Sequence, residues 1–228
     1  MEQPLLVIPE YALCNTIQTL FKVLREDYTA HINNVAESYL AKLTDQLQFQ
    51  RLNWREQAIE IFTRDEAHDR YIEVDLMFNM QKNHFPSIHI TLPSEQSHQM
   101  NSLNMGEAAD EEDLLLDGDG NAVAQRGVMI KRYSATYNVV IASDNINEVV
   151  IIYHVLRALL TAGLFQLQHE GLESVKFSGQ DIQPYSDIMP PNMYMRALVV
   201  GLEYETKTLS LHPEMIPKDL IFQPIIHV

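Results

Sequence analysis

The stretch "YSATYNVVIASDNINEVVIIYHVLRALL", residues 133–160, decides the fold because its hydrophobic period changes in the middle. From Tyr133 to Ile141 every second residue is apolar, which is typical of a strand with one buried face. From Asn145 onward the apolar residues recur at steps of three and four, which indicates a helix. The stretch therefore predicts a strand that leads directly into a buried helix.

The limits of this helix can also be read from the sequence. Asn145 is a favourable N-cap, and Glu148 stands three residues later, an arrangement that predicts a capping box. Gly163 can supply a left-handed turn at the C-terminal end. The predicted core stripe is broad, and its members are Val149, Tyr153, Leu156, Leu160 and Leu164, widened by Ile146, Val150, Ile152 and Leu159.

The N-terminal part begins with a second helical pattern. Apolar residues recur at helical spacing from Glu10 to about Gln50, with no Gly or Pro between them. Asn residues compete for their own backbone, so "HINN", residues 31–34, is a plausible bend. The pattern predicts one long helix, or two helices joined by a bend.

Three segments with period two follow, and they predict three strands in an antiparallel meander. They are "QAIEIFTR" (57–64), "YIEVDLMFNM" (71–80) and "SIHITL" (87–92). In the second, the residues expected to share one face are Ile72, Val74, Leu76, Phe78 and Met80.

Residues 93–127 interrupt this rhythm. Between Lys82 and Arg126 there are eight acidic residues and no Lys or Arg, with several glycines at turns. We expect a long acidic loop, an excursion from the sheet, in which "DLLLDGDGNAVAQRGV" forms a small hairpin.

Strand patterns return after this excursion and continue almost to the end of the sequence. They cover 128–143, which is long enough to project beyond its sheet, 172–184 and 193–209. In the last of these, the residues expected to face one way are Leu198, Val200, Leu202 and Tyr204.

The last segment, 211–228, contains Pro213, Pro217 and Pro224 and cannot form a continuous helix. It is also too apolar for a free tail, so an extended C-terminal arm is predicted, docked on its own sheet or on a neighbouring subunit.

Together these patterns predict an α+β fold, with a mixed or mainly antiparallel sheet packed against one or two long helices. The predicted organisation is a single domain over 1–210 and the arm over 211–228.

Composition limits the class of protein. The 228 residues carry a net charge of -15, which disfavours tight contact with phosphate. The only cysteine, Cys14, cannot form an intrachain disulfide and is predicted to be a small buried side chain. No run reaches the ~20 apolar residues of a membrane span, and "MEQPLLVIPE" has no basic region typical of a secretory signal.

One candidate metal site lies in the acidic excursion. Asp117, Asp119 and Asn121 alternate as in the first half of an EF-hand loop. Such a loop needs Gly at its sixth position and Glu at its twelfth, where this sequence has Ala122 and Val128. A turn at a hairpin tip is therefore favoured over a calcium site.

Candidate catalytic groups are dispersed. His154 lies on the buried helix, and a core or interface role is favoured over a ligand or base because no partner motif accompanies it. Glu73 and Asp75 share the face opposite the apolar one, where they could pair for acid/base work or could simply be solvated. The sequence contains no nucleophile elbow, P-loop or dinucleotide fingerprint. We therefore expect no catalytic residue, no metal and no cofactor.

The region 128–210 carries a resemblance to a known family. "YSATYNVVIASDNINEVVIIYHVLRALL", followed by "SGQDIQPYSDIMPPNMYMRALVVGLEYE", resembles the C-terminal half of tail-terminator and head-tail connector (neck) proteins of tailed bacteriophages. In that family such a strand enters a helix, and a long aromatic-rich strand closes the sheet. The resemblance is one of pattern and includes no diagnostic ligand motif.

The resemblance implies a structural virion protein that is not an enzyme, assembled in the host cytoplasm. Its subunits would form a homo-oligomeric ring beside neck, portal-side or tail-tube proteins, and DNA would pass through without sequence recognition. The alternatives are a calcium-dependent binding module using 117–121 and a hydrolase whose site is assembled from dispersed His and acidic residues.

Overall fold

The computed structural model describes residues 7–45, 53–76, 84–97, 112–116, 122–182 and 193–209; in 112–116, 122–130 and 207–209 it describes the backbone alone. The chain divides into two compact units. The larger comprises Val7–Gln96 and Ser134–Tyr204, and the smaller comprises Met1–Leu6, Ser97–Tyr133 and Glu205–Val228. The single domain over 1–210 stays a prediction, as does the arm over 211–228, which lies outside the described residues.

The first helical pattern forms two helices, as the predicted bend allowed. Helix α1 spans Pro9–Ala30 and buries one stripe, with Leu13 and Ile17 fully inaccessible. It ends at the expected "HINN", and a short 3-10 turn at Val35–Glu37 leads into α2, Tyr39–Asp45. The two helices are joined by the Asp27 carboxylate, which accepts a hydrogen bond of 2.6 Å from the Tyr39 backbone N–H.

The prediction of a strand at 57–64 is wrong, because residues 57–63 lie in helix α3, Trp54–Thr63. Ala58, Ile61 and Phe62 are its buried residues, and their spacing of three and one is that of a helix face. A short apolar run fits either period, and packing decides between them. Here Phe62 meets Phe21 of α1 edge to face, with ring centroids 5.4 Å apart.

A mixed sheet of five strands forms the second layer, so the predicted α+β class is confirmed. The strands β1 (Glu73–Asp75), β2 (Ser87–Ser97), β4 (Ala122–Ser143), β5 (Leu172–Ile182) and β6 (Tyr194–Leu209) lie in the order β1-β2-β4-β6-β5. β5 and β6 are antiparallel, whereas β1 and β2 are parallel.

The predicted antiparallel meander is therefore wrong. Alternation identifies the faces of a strand but not its direction, and residues 76–86 form a longer connection than the two to five residues usual in a hairpin. Ile72 is buried and Val74 and Leu76 are half-buried. The expected face-sharing residues Phe78 and Met80 lie outside the described residues.

Residues 133–160 form the predicted strand and the helix that follows it. β4 ends at Ser143, and helix α4 spans Ile146–Ala162. Most of the predicted stripe is buried, but Ile146 is 54% exposed, and Val150 and Leu164 are half-buried. Gly163 has φ -88°, so the predicted left-handed turn is wrong; its Cβ position would lie 3.1 Å from the Leu20 side chain, and the chain continues as α5, Leu164–His169.

Both faces of the sheet carry buried side chains. Leu198, Val200, Leu202 and Tyr204 of β6, which were predicted to face one way, are all buried. On the other face a smaller cluster contains Val140, Ala142, Met193, Met195 and Ala197, with Phe85 and Ile182 packed against it. The sheet is thus buried on both sides where β4 and β6 run through the larger unit.

In the smaller unit, β3 (Glu112–Leu116) pairs with β4 in an antiparallel ladder, with Leu114 opposite Gln125. The predicted hairpin pairing is confirmed. The start of the strand predicted at Val128 is wrong, since β4 begins at Ala122. The tip with Asp117, Asp119 and Asn121 lies outside the described residues, as does 98–111 of the predicted acidic loop.

Candidate functional site

A buried carboxylate lies where β4 turns into α4. Glu148 is 5% exposed, and its Oε2 accepts hydrogen bonds from the Ser143 hydroxyl at 2.6 Å and from Arg70 Nη2 at 2.7 Å. Arg70 also donates to both oxygens of Asp144, at 2.6 and 3.2 Å. These bonds fix the turn before β1 to the start of α4.

A second arginine completes this ion network. Arg64 follows α3, and its side chain is 10% exposed. Its Nη1 lies 3.3 Å from Glu148 Oε1, and its Nη2 lies 2.7 Å from Glu60 Oε1. Two guanidinium groups thus face three carboxylates, and the charges are nearly balanced.

The capping box predicted at this helix forms only in part. Asn145 is the N-cap, and its side-chain oxygen accepts from the Asn147 backbone N–H at 3.0 Å. The Asn145 N–H, which a capping box would give to Glu148, donates instead to the Ser143 hydroxyl at 3.1 Å. Glu148 is therefore available to the two arginines. Sequence reasoning missed this role because its partners lie 78 and 84 residues away.

The ion network has the chemistry of a structural link. The hydrogen bond from Arg70 lowers the pKa of Asp144, and those to Asp144 and Glu148 raise the pKa of Arg70. A carboxylate held ionised in this way is a weak general base. A cleft of about 490 Å³ opens beside it, lined by Arg70, Asp144, Asn145, Ile146, Glu148 and Tyr194.

The sheet also brings together a serine and a histidine. Ser87 Oγ and His89 Nε2 are 2.9 Å apart, and the register of the parallel pair places Glu73 and Asp75 beside them on β1. Ser87 is 3% exposed and His89 is 5% exposed, so a substrate has no access to this pair. The geometry therefore favours a structural bond within β2.

The carboxylates of β1, considered for acid/base work, border a different cleft. Glu73 and Asp75 are half-buried and line a cleft of about 380 Å³ between α1 and β1, with Lys22 and Arg25 across from them. Cys14 of α1 is buried as predicted, and burial, then the charge of Asp75, raises the pKa of its thiol. The raised pKa makes this thiol a poor nucleophile. Among the described residues, no group of three or more His, Cys, Asp or Glu side chains could hold a metal ion.

His154 lies beside two arginines, Arg157 of α4 and Arg196 of β6. Its ring meets that of Tyr153 edge to face, and the Arg196 guanidinium lies 5.2 Å from the centre of the Tyr153 ring. Arg196 Nε bonds to Asp181 of β5 at 2.6 Å, and Arg157 is exposed one turn along α4. Burial, followed by the charges of Arg196 and Arg157, lowers the pKa of His154.

The two ends of the strand order are edges. Within the described residues, no strand pairs with the outer side of β5, which has 11 residues, most of them exposed. Its pairing with β6 is irregular between Glu173 and Lys176, and Ser174 has a positive φ of 50°. From Lys176 to Ile182 the register is continuous, so a regular edge remains.

None of the helices in the described ranges has the length and apolarity needed to span a lipid bilayer. The sequence matches no protein-family model and no curated protein. The candidate roles of its residues therefore rest on the contacts described above.

Proposed function

We propose that this chain is a structural virion protein without enzymatic activity, a subunit of an oligomeric ring at the head-tail junction of a tailed bacteriophage. It would serve as a tail terminator or as a neck (connector) protein, with DNA passing through the ring. The observation that carries the assembly part of this proposal is the regular edge of β5 from Lys176 to Ile182, with which no other strand of the described ranges pairs on its outer side. The resemblance of 128–210 to tail-terminator and neck proteins supports the phage part.

An uncovered strand presents a row of backbone donors and acceptors, and most monomeric proteins protect such edges. The irregularity at Glu173–Lys176 protects only the beginning of β5. The continuous part is long enough to pair with a strand of another chain, which is a common mode of protein association. If the β5 edge pairs with a different surface of the next copy, the contact is heterologous and builds a ring or a filament, whereas pairing of β5 with β5 would stop at a dimer.

Two other features support assembly. β4 is 22 residues long, or about 70 Å at 3.3 Å per residue if fully extended, and its first part pairs with β3. A strand of this length exceeds what one sheet needs. The arm predicted over 211–228 adds a second segment that could reach a neighbour.

Charge supports passage of DNA through the ring. The net charge of -15 repels phosphate and favours movement of DNA over adhesion. The proposed partners are other copies of this chain and neighbouring neck, portal-side or tail-tube proteins. The proposed location is the virion, after assembly in the host cytoplasm.

The first test is the oligomeric state of the full chain. We expect rings in negative-stain images, and a mass well above 26.2 kDa by size exclusion with light scattering. Neighbouring neck or tail proteins should promote the same assembly. A chain that stays monomeric at high concentration, with and without these proteins, would contradict the proposal.

The second test blocks the edge. Ser178→Lys with Gln180→Lys places two lysines on the exposed part of β5, a device that natural edge strands use against pairing. We expect a folded subunit that no longer assembles. The matched control is Asn15→Lys with Thr19→Lys, which adds the same charge to the exposed side of α1 and should leave assembly intact.

The third test removes the arm. Truncation after Leu211 should leave the larger unit folded, as judged by circular dichroism, but unable to assemble. Unchanged ring formation would show that the arm has no role between subunits.

A further inference from the structure

The cleft of about 380 Å³ between helix α1 and strand β1 runs along the backbone edge of β1. Its β1 wall consists of five consecutive residues, 71–75. One face of a strand would contribute only every second residue, so the edge of the strand borders the cleft. The α1 wall is formed by residues whose spacing places them on one face of the helix: Gln18, Phe21, Lys22 and Arg25.

The backbone of β1 directs hydrogen-bonding groups into this cleft. The Glu73 N–H donates to the Pro86 carbonyl at 3.3 Å, on the side of β2. Backbone groups alternate in direction along a strand, so the N–H and C=O of Val74 point away from β2 and toward the cleft. No strand of the described ranges pairs with β1 on this side. An open strand edge beside a helix is a geometry that accepts an added strand.

The occupant that fits this cleft is the edge of β5, at the other end of the strand order. Its regular part spans seven residues, Lys176–Ile182, and five of them are exposed, so little besides the strand itself has to enter the cleft. Within one copy, three strands separate β1 from β5. A β5 that pairs with β1 therefore belongs to a second copy.

The charges of the two surfaces are compatible. The cleft is lined by charged side chains of both signs: Lys22, Arg25, Glu66, Glu73 and Asp75. The regular edge of β5 carries one charge of each sign, Lys176 and Asp181, and Asp181 also keeps its bond to Arg196. Each charge of the added strand thus meets a side chain of opposite charge in the cleft.

We propose that Lys176–Ile182 of one copy enters the cleft between α1 and β1 of the next copy and pairs with β1, so that the sheet continues from subunit to subunit. The two edges are different surfaces, so the contact is heterologous, and its repetition closes a ring or extends a filament. This inference rests on the ring function proposed above and names the surface that receives β5.

A proline at position 74 tests the backbone contact. Val74→Pro removes the N–H that points into the cleft and keeps the bonds between β1 and β2, since an edge strand tolerates proline where its N–H faces outward. We expect a folded chain whose self-association in sedimentation velocity is weakened at least about tenfold, because a hydrogen bond is lost from the interface. Val74→Ala shortens the same side chain, keeps the N–H and should associate like the wild type.

A second variant acts from the other wall and leaves β1 unchanged. Gln18 is exposed on α1, and Gln18→Trp places a bulky ring in the cleft. We expect a folded monomer. The matched control is Asn15→Trp, at an exposed position of α1 outside the lining of the cleft, which should leave assembly intact. If Gln18→Trp assembles like the wild type, the inference is wrong and the ring function stands.

A mixture of blocked variants shows whether the contact joins two different surfaces. Ser178→Lys with Gln180→Lys blocks β5 and leaves the cleft open, whereas Gln18→Trp closes the cleft and leaves β5 open. Neither should assemble alone, and an equimolar mixture should form one contact and stop at a 1:1 dimer. A mixture that stays monomeric, or a Gln18→Trp chain that dimerises by itself, would contradict the inference.

Hydrogen exchange identifies the paired edges in the wild type. Assembly should slow exchange of the Val74 amide and of amides in 176–182 alike. Slower exchange in 176–182 with no change at Val74 would show that β5 pairs with another surface, and the inference would fall. A wild-type chain that never assembles would overturn the ring function and this contact with it.

Discussion

The ring of Tyr153 lies against Gly179, so that α4 touches the backbone of β5 where that strand has no side chain. A Cβ at Gly179 would overlap the Tyr153 hydroxyl and lie 2.9 Å from Cζ of its ring. Tyr153 is 6% exposed and carries Arg196 over its ring. The glycine thus positions both Tyr153 and the cation held by it.

Gly179→Ala should destabilise the protein by about 1–3 kcal/mol, the usual cost of forcing extra volume into a packed site. The free energy of unfolding in urea measures this. Gly201→Ala on the neighbouring strand is the matched control, because nothing lies within 4 Å of its Cβ position. That substitution should be neutral or slightly stabilising, since alanine restricts the unfolded chain.

A double-mutant cycle identifies Tyr153 as the cause. If the clash is with its hydroxyl and ring, Tyr153→Leu should make Gly179→Ala much less costly. An equal cost of Gly179→Ala in both backgrounds would show that the strain lies elsewhere.

Local patterns predicted those parts of the fold that local forces determine. The period change near Ser143 located β4 and α4, and the side chain of Asn145 caps the helix as expected. The segment 57–64 was misassigned because a short apolar run fits both periods until a partner such as Phe21 selects one. The parallel direction of β1 and β2 depends on the connection between them and not on alternation.

The sites were less predictable than the fold. Glu148 was expected in a capping box, but it meets Arg64 and Arg70, which are distant in sequence and become neighbours only when α3 packs on α4. His154 was recognised as a candidate, whereas its neighbours Arg157 and Arg196 were not. Arg196 lies on β6, about 40 residues after His154, so no periodic spacing along the sequence relates it to α4.

The ion network at Glu148 predicts an asymmetry between two carboxylates that share an arginine. Glu148→Gln leaves Arg64 and Arg70 without a buried counter-charge, which costs about 3 kcal/mol or more. Glu60→Gln removes the other partner of Arg64, but the Glu60 side chain is 69% exposed and should contribute only about 0.5 kcal/mol or less. Urea unfolding of both variants at pH 7 measures the difference. Equal losses would contradict the structural role of Glu148.

Because the pKa of His154 is lowered in the folded state, we expect the protein to lose stability in weak acid. This pKa is lowered by burial and then by Arg196 and Arg157, so the unfolded state binds the proton more tightly. The corresponding stability is present above the unfolded pKa of about 6.5 and is lost as the pH falls below it. His154→Gln should therefore reduce the decrease in unfolding free energy between pH 7 and pH 5. An equal decrease in His154→Gln and in the wild type would contradict the lowered pKa.

Because the pKa of Tyr137 is raised in the folded state, we expect the protein to lose stability in alkali. The Tyr137 side chain is 1% exposed, and its hydroxyl donates to Glu10 Oε1 at 3.2 Å, which ties the start of α1 to β4. Burial, followed by the charge of Glu10, raises its folded pKa far above the usual value. Above the unfolded pKa of about 10, the unfolded state releases the phenolic proton while the folded state keeps it.

Folding is therefore favoured by the neutral phenol below about pH 10, and this contribution is lost as the pH rises further. The free energy of unfolding should fall between pH 9.5 and pH 11 in the wild type and fall less in Tyr137→Phe, which has no proton to release. Tyr11→Phe changes an exposed tyrosine of α1 and serves as the control. Absorbance at 295 nm measures the phenolate directly, and a wild-type protein that ionises all its tyrosines near pH 10 while still folded would contradict the raised pKa.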